Sequence, residues 1–176
     1  LQNKAVQVAF EPGSTLKIVT VAAALESGLF DVNSLIHCEN GAYQFAGHVI
    51  HDDERRFNWL TLSQVMEHSS NIGAAKIARK LGKKRLYKYM RDFGFGNRTG
   101  ISLPGESAGI LRPIYQWSDY SIAALSFGQE ISVTGVQLAC MMSVVANGGM
   151  LPKPGIVQTV LNESGQLEQS FGREEI

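Results

Sequence analysis

The sequence predicts an α+β fold in which helices predominate, and three observations support this. Four stretches repeat apolar residues every three or four positions, as one buried helix face requires. The runs that suggest strands are short and are separated by turn residues. With 176 residues and 44% hydrophobic content, the chain is long enough to bury a core. We therefore expect one domain over residues 1–176.

The first predicted helix opens with Ser14-Thr15-Leu16-Lys17 and ends near Gly28. Residues three apart on a helix are neighbours, which places the Lys17 amine beside the Ser14 hydroxyl. A serine becomes a strong nucleophile when a base takes its proton, and a helix N-terminus favours the negative charge that develops. Ser14 is the candidate nucleophile and Lys17 its candidate base. The expected apolar face is Ile18, Val21, Ala22 and Leu25.

A hairpin is expected next, over residues 43–50, followed by a solvated charged turn at residues 52–56. His48 and His51 precede Asp52-Asp53, so a metal site can be imagined there. No further set of ligands accompanies them, and we expect neither a metal nor a cofactor.

A second predicted helix is interrupted by polar residues. Thr61 to Gln64 has the pattern of a capping box, and Leu62, Val65 and Met66 mark its buried face. The apolar pattern stops at residues 68–71 and resumes with Ile72, Ala75, Ala78 and Leu81 until Gly82. The interruption fits a solvated kink. Alternatively, Ser69 and Asn71 point into a cleft beside Ser14, where Ser69 would relay a proton and Asn71 would orient Lys17 and a substrate amide.

Two further helices and a turn complete the prediction. One helix follows Gly82 and ends at Gly94, with Leu86, Tyr89, Met90 and Phe93 on one face. The other begins with a capping box at Thr134 to Gln137 and ends at residues 147–149, with Leu138, Met141, Met142 and Val145 as its apolar face. Beyond Pro152, two extended runs flank a turn at residues 162–165.

Composition excludes some functions and leaves others open. The chain carries 16 Lys and Arg and 16 Asp and Glu, and it has no basic tract, which argues against nucleic acid as a partner. No apolar run approaches the length that spans a bilayer. Cys140 is expected to be a small buried residue, whereas Cys38 lies in a polar stretch. Whether the two form a disulfide stays open.

The motifs resemble those of class B penicillin-binding proteins. Ser-x-x-Lys at Ser14 and Lys17 and Ser-x-Asn at Ser69 and Asn71 are two of the three elements that mark penicillin-binding proteins and serine β-lactamases. The flanking sequences add to the resemblance, which is greatest to the septal, division-specific type. These sequences are Glu11 to Lys17, Thr99 to Glu106, Gly109 to Leu111, Trp117-Ser118, and Ser126 to Gln129 leading to Val133-Thr134.

This resemblance implies a penicillin-binding protein or serine β-lactamase-like transpeptidase fold, here a mostly helical partial domain that lacks most of the central sheet. It implies a peptidoglycan D,D-transpeptidase that cross-links D-Ala-D-Ala stem peptides through Ser14. β-Lactam antibiotics would acylate the same serine, and divisome membrane proteins are candidate partners. The resemblance also implies an extracytoplasmic domain at the bacterial membrane, with a single anchor outside these residues.

The chain departs from the family in several places. The third element, Lys-Thr-Gly, is absent, as are the strands that usually precede the nucleophile helix, so we expect the isolated piece to be inactive. One oxyanion donor is expected from the Ser14 N–H, and the resemblance places the other on the Lys-Thr-Gly strand. Glu130 and Gly135 stand near positions where relatives often have Gly and Pro. A β-lactamase or β-lactam sensor, and a non-catalytic divisome module, remain as alternatives.

Overall fold

The computed structural model describes residues 2–52, 56–172 and 174–175. Its helices are α1 Lys4–Gln7, α2 Lys17–Glu26, α3 Leu62–Glu67, α4 Asn71–Leu81, α5 Lys83–Asp92, α6 Ser121–Ser126 and α7 Gly135–Ala146. Its strands are β1 Ala9–Phe10, β2 Leu35–His37, β3 Ala42–Phe45, β4 His48–His51, β5 Trp59–Thr61, β6 Val133–Thr134, β7 Pro152–Lys153, β8 Thr159–Leu161, β9 Leu167–Ser170 and β10 Glu174–Glu175. Short 3₁₀ turns occur at Gly13–Leu16, Glu39–Gly41 and Ile114–Gln116.

The chain forms two compact units. The helical unit comprises Glu11–Arg91 and Leu111–Ser132, and the terminal unit comprises Leu1–Phe10, Asp92–Ile110 and Val133–Ile176. Within the described residues the strands pair only two at a time, all antiparallel: β1 with β6, β2 with β5, β3 with β4, β7 with β10 and β8 with β9. The expected α+β class with little of a central sheet is confirmed.

Helix α4 forms the centre of the helical unit, packed against α2 on one side and α6 on another. The four residues predicted for its buried face are all buried: Ile72, Ala75, Ala78 and Leu81. Small residues let its neighbours approach closely. A Cβ atom on Gly73 would lie 2.5 Å from a methyl group of Val65 in α3, so this glycine permits the contact between α3 and α4.

The predicted break between α3 and α4 is confirmed, as is the capping box that starts α3. The Thr61 hydroxyl accepts a hydrogen bond from the Gln64 N–H, and the Gln64 side chain accepts one from the Thr61 N–H. Helix α3 ends at Glu67, and Ser70 caps the start of α4. The predicted hairpin is also present as β3 and β4, with Tyr43 opposite Ile50.

The predicted buried face of α2 is wrong. Leu25 is 40% exposed, and Ile18, Val21 and Ala22 are only half-buried. The buried positions are instead Leu16, Val19, Thr20 and Ala23, together with Lys17 and Ala24. Apolar residues occur almost all around this helix, so their period does not select a face. A polar contact helps to decide which face is buried. The Thr20 hydroxyl donates to the Ser126 carbonyl at 2.9 Å, which keeps Thr20 in the interior.

Helix α7 organises the terminal unit and packs against α1 and β7. Its predicted capping box at Thr134 is confirmed. The buried Gln137 amide also donates to the carbonyls of Asn97 and Ala108, at 2.7 and 2.9 Å. The predicted apolar face is partly wrong, because Met142 and Val145 are 48% and 56% exposed. Adjacent residues on a helix point in different directions, so burial of Met141 turns Met142 outward.

Both cysteines are buried free thiols, including Cys38 from its polar stretch. The turn at residues 162–165 joins β8 and β9 as predicted. None of the helices in the described part of the chain combines the length and the apolar character that crossing a membrane would require.

Candidate active site

Ser14 lies in the 3₁₀ turn Gly13–Leu16, one turn before α2 begins at Lys17. The sequence placed it in the helix itself. Leu16 is fully buried and fixes the turn to the core, while Ser14 is exposed. The Lys17 N–H donates to the Ser14 carbonyl, which continues the turn into the helix. Ser14 is therefore an exposed residue at the entrance of α2.

The Lys17 side chain is only 1% exposed, although it carries an amine. Its Nζ atom contacts the Ser14 Oγ atom at 3.0 Å and the Ser69 Oγ atom at 2.9 Å, and it also donates to the Ser69 carbonyl. One buried amine thus lies within hydrogen-bond distance of two hydroxyl groups, the separation that a proton transfer between them requires.

Ser69 connects α3 to α4 in a conformation that L residues rarely adopt, with φ of +54°. The Ser69 N–H donates to the Met66 carbonyl at 3.1 Å, and the next N–H, of Ser70, donates to the Val65 carbonyl at 3.0 Å. This geometry turns both the carbonyl and the hydroxyl of Ser69 toward Lys17. A left-handed conformation costs a non-glycine residue roughly 1–2 kcal/mol, and such strain is concentrated at functional sites.

Asn71, the fourth candidate, is the first residue of α4 and is half-buried. Its Nδ2 atom donates to the His51 carbonyl at the end of β4, at 3.0 Å. The carboxamide is thus fixed between α4 and the hairpin. That it orients Lys17 or a substrate amide stays a prediction.

Gly128 supports the turn Gly13–Leu16, a role that no sequence motif assigned to it. The Gly13 N–H donates to the Gly128 carbonyl at 3.1 Å. Gly128 has φ of +83°, and a Cβ atom there would lie 2.0 Å from the Gly13 carbonyl oxygen. Only glycine allows the two backbones to approach so closely. One sequence signal pointed to this glycine: it lies within the segment Ser126 to Gln129, which resembles the family sequence.

Asp52 corrects the prediction of a solvated turn after the hairpin. Its carboxylate accepts hydrogen bonds from the Ser70 hydroxyl at 2.8 Å and from the Ile72 N–H at 3.1 Å. Residues 53–55 of that predicted turn lie outside the described residues. Arg56, its last residue, is exposed as predicted. Asp52 is separated from Ser70 by 18 positions, so no local pattern signalled this contact.

The two histidines near the hairpin have other roles. The His48 ring stacks on Tyr120 with centroids 4.0 Å apart, and His51 contributes its carbonyl to Asn71. Within residues 2–52, 56–172 and 174–175, no group of three or more His, Cys, Asp or Glu side chains is arranged to hold a metal ion.

Comparison with known proteins gives consistent matches over nearly the whole chain. Residues 1–173 match the penicillin binding protein transpeptidase domain. The chain is 38% identical over 168 residues to penicillin-binding protein PbpB of Mycolicibacterium smegmatis, covering 95% of this chain and 26% of that protein. It is 35% identical over 150 residues to peptidoglycan D,D-transpeptidase FtsI of Escherichia coli K12, covering 85% of this chain and 25% of that protein.

The fold is also similar to that of a solved structure, penicillin-binding protein 3 of Mycobacterium tuberculosis complexed with ampicillin. The TM-score is 0.91 with 36% sequence identity, and the match covers all of this chain and 39% of that one. The chain spans about a quarter of the length of the curated relatives it matches.

Proposed function

Because the chain belongs to the transpeptidase family of penicillin-binding proteins, we propose that it is part of a serine-type peptidoglycan D,D-transpeptidase that acts in septal cell-wall synthesis. Both compact units would then be pieces of one transpeptidase domain. The observation that carries the proposal is the buried amine of Lys17, in contact with the hydroxyls of both Ser14 and Ser69.

In the first half of the reaction, the Ser14 Oγ atom attacks the carbonyl carbon between the two D-alanines of a stem peptide. The Ser14 proton passes to the Lys17 amine, which lies 3.0 Å from the Ser14 oxygen. A tetrahedral intermediate then collapses, the C–N bond breaks, and an ester between Ser14 and the shortened peptide remains.

The departing D-alanine nitrogen must receive a proton as the C–N bond breaks. Ser69 is suited to supply it, because its hydroxyl lies 2.9 Å from the Lys17 amine and the residue is exposed on its outer side. The hydroxyl gives its proton to the nitrogen and recovers one from Lys17. Asn71 would hold the substrate amide while its own amide group stays fixed by the His51 carbonyl.

In the second half, an amine from a neighbouring stem peptide attacks the ester carbonyl. The amine loses a proton to the Lys17 and Ser69 pair, the new amide forms, and Ser14 leaves with its proton restored. A β-lactam follows the first half only. Its ring amide acylates Ser14, and because the amide is cyclic, the leaving nitrogen remains part of the acyl group bound to Ser14. The ampicillin complex of the structural relative supports this part of the proposal.

The oxyanion of the intermediate needs two N–H donors. The Ser14 N–H at the start of the turn is one candidate, and by family resemblance the other belongs to a Lys-Thr-Gly strand. The 176 residues contain no Lys-Thr-Gly sequence. We therefore expect the isolated chain to be inactive, and every activity test below uses the full-length protein.

We place the protein at the bacterial membrane, with this domain on the extracytoplasmic side, where peptidoglycan stem peptides occur. Divisome membrane proteins are the proposed partners. The balanced charge of the chain gives no support for a nucleic-acid partner.

The proposal is tested by labelling the full-length protein with a fluorescent penicillin and following the adduct with time. We expect stable labelling of the wild type and of Thr15→Ala, and none of Ser14→Ala. Thr15 is the matched control because it is an exposed hydroxyl one residue away in the same turn. Rapid loss of the adduct with nitrocefin hydrolysis would indicate a β-lactamase, and labelling that survives Ser14→Ala would refute the role of Ser14.

A further inference from the structure

The end of β4 lies across the start of α4 and is held there by three hydrogen bonds. The His51 carbonyl accepts from the Asn71 side chain at 3.0 Å. One carboxylate oxygen of Asp52 accepts from the Ser70 hydroxyl at 2.8 Å, and the other accepts from the Ile72 N–H at 3.1 Å. These bonds attach the hairpin to the last two residues of the Ser-x-Asn element and to Ile72, which follows it.

Asp52 completes the cap of α4. The Ser70 side chain is fully buried and accepts the Gly73 N–H at 2.8 Å while it donates to Asp52. A carboxylate that binds a free N–H at a helix start is also favoured by the partial positive charge of that end. The Ser70 hydroxyl is near the Cys38 thiol as well, at 3.6 Å, a weaker interaction than the one with Asp52.

This cap bears directly on the candidate active site because Ser70 follows Ser69 in the chain. The N–H groups of Ser69 and Ser70 are both fixed by hydrogen bonds to α3, and Ser70 is held in addition by its side-chain bond to Asp52. Between these attachments Ser69 keeps its φ of +54° and directs its carbonyl and hydroxyl to Lys17. A strained residue persists only when its surroundings hold it, and on the C-terminal side Asp52 is one of the holding groups, together with the Val65 carbonyl and the Gly73 N–H.

We propose that Asp52 is a positioning residue for the transpeptidation reaction: it holds Ser70, and thereby keeps Ser69 in the strained conformation that aims the Lys17 amine at Ser14. Asp52 touches neither the Ser14 hydroxyl nor the substrate in this role. The inference rests on the proposed function, since it concerns the residue that positions the three proposed reacting groups, Ser14, Lys17 and Ser69.

The test compares wild type and Asp52→Asn in the full-length protein, by acylation with benzylpenicillin over a range of pH. The carboxamide that this substitution introduces still accepts from the Ile72 N–H but presents N–H groups to the Ser70 hydroxyl. We expect the maximal acylation rate to fall about 10- to 100-fold, the scale of a small misplacement of reacting groups. We also expect unchanged non-covalent affinity and a shift of at least about half a unit in the pH midpoint of acylation, because a displaced Ser69 changes the hydrogen bonds among the reacting groups.

Leu81→Ala is the matched control, at the opposite end of the same helix. Leu81 is 5% exposed, and its truncation should lower the melting temperature of the protein without moving the pH midpoint of acylation. A merely structural effect of Asp52→Asn would resemble this control. If Asp52→Asn fails to fold, Ser70→Ala removes the same contact and is judged by the same criteria.

The outcomes separate the inference from the function on which it rests. If the wild type is not acylated at all, the proposed function fails. If the wild type is acylated and Asp52→Asn keeps both its maximal rate and its pH midpoint, the positioning role is overturned. A smaller effect of Asp52→Asn in a Ser69→Ala background than in the wild type would support action through Ser69.

Discussion

The buried amine of Lys17 donates to the carbonyl of Ser69 and lies 2.9 Å from its hydroxyl, although the two residues are 52 positions apart in the sequence. The same amine contacts the Ser14 hydroxyl. One polar atom thus joins the start of α2 to the junction of α3 and α4. The arrangement depends on the packing of α2 against α4, so the chemistry is a property of the folded helical unit.

Lys17→Met should separate activity from stability. Loss of a positioned base typically slows a reaction by about 10²–10⁴-fold, so penicillin acylation of the full-length protein should nearly disappear. Methionine fills a similar volume without a buried amine, and the oxygen atoms that lose a donor belong to the exposed Ser14 and Ser69, where water can replace the lost hydrogen bonds. The melting temperature should therefore stay near that of wild type. Lys80→Met, at an exposed lysine, should leave acylation unchanged, and equal acylation of Lys17→Met would exclude Lys17 as the base.

The strain at Ser69 predicts a difference between two substitutions that both remove its hydroxyl. Ser69→Ala keeps a Cβ atom at φ of +54°, whereas Ser69→Gly does not. The glycine variant should therefore be more stable than the alanine variant, by about 1 kcal/mol in the free energy of unfolding measured with denaturant. Acylation should be reduced in both. A more stable alanine variant would show that the left-handed conformation is absent in solution.

Gly128→Ala should disrupt the turn Gly13–Leu16. The added Cβ atom meets the Gly13 carbonyl at 2.0 Å, so the backbone must move, and we expect a loss of more than about 3 kcal/mol of stability together with loss of acylation. Gly28→Ala is the control, because Gly28 also has a positive φ, +66°, but has no atom within 4 Å of the added group. It should cost only about 1 kcal/mol. Similar losses in the two variants would contradict the close approach of Gly13 and Gly128.

The parts of the fold that could be predicted from the sequence depend on local signals. Both capping boxes, at Thr61 and Thr134, use contacts within one helical turn, and so does the buried face of α4. In the site, the neighbourhood of Ser14 and Lys17 follows from helical spacing alone. The approach of Ser69 does not: the polar interruption left a solvated kink and a residue in a cleft as alternatives, and the resemblance to a known family favoured the second.

What could not be predicted depends on contacts between distant segments. No pattern near Asp52 announces its bond to Ser70, and none near Gly128 announces its approach to Gly13. Helix α6 is buried at every position, so it has no exposed side and gives no periodic signal. The buried face of α2 was misassigned for the related reason that most of its residues are apolar.

The terminal unit offers an independent test of the fold at Glu106. Its carboxylate accepts from the Thr99 N–H and Thr99 hydroxyl at 2.6 Å each and from the Gly100 N–H at 3.2 Å. In Glu106→Gln one carboxylate oxygen is replaced by an NH₂ group, which then faces an N–H of Thr99 or Gly100 and cannot accept from it. The loss of this hydrogen bond should lower the free energy of unfolding by about 1–3 kcal/mol. The change is measured by denaturant unfolding, with Glu163→Gln on the exposed turn as control. Equal stability of the two variants would contradict these contacts.

Cys38 and Cys140 should resist alkylation in the folded protein. Burial raises the pKa of each thiol above its ordinary value of 9.0, which reduces the reactive thiolate under mildly alkaline conditions. Iodoacetamide should modify both slowly in native buffer and quickly in guanidinium, as mass spectrometry would report. The stability linked to the neutral thiols is present below about pH 9 and falls as the pH rises above it, because the unfolded chain then ionises first. Equal native and denatured rates would contradict their burial.

The most direct test of the central claim is to locate the covalent adduct formed when the full-length protein meets benzylpenicillin. Trypsin cleaves after Lys4 and Lys17, so Ser14 lies in a single peptide that fragmentation can read residue by residue. The account predicts a penicilloyl adduct on Ser14 in the wild type, and no adduct on the corresponding peptide of Lys17→Met. An adduct on any other residue of the folded protein, or an undiminished adduct in Lys17→Met, would contradict it.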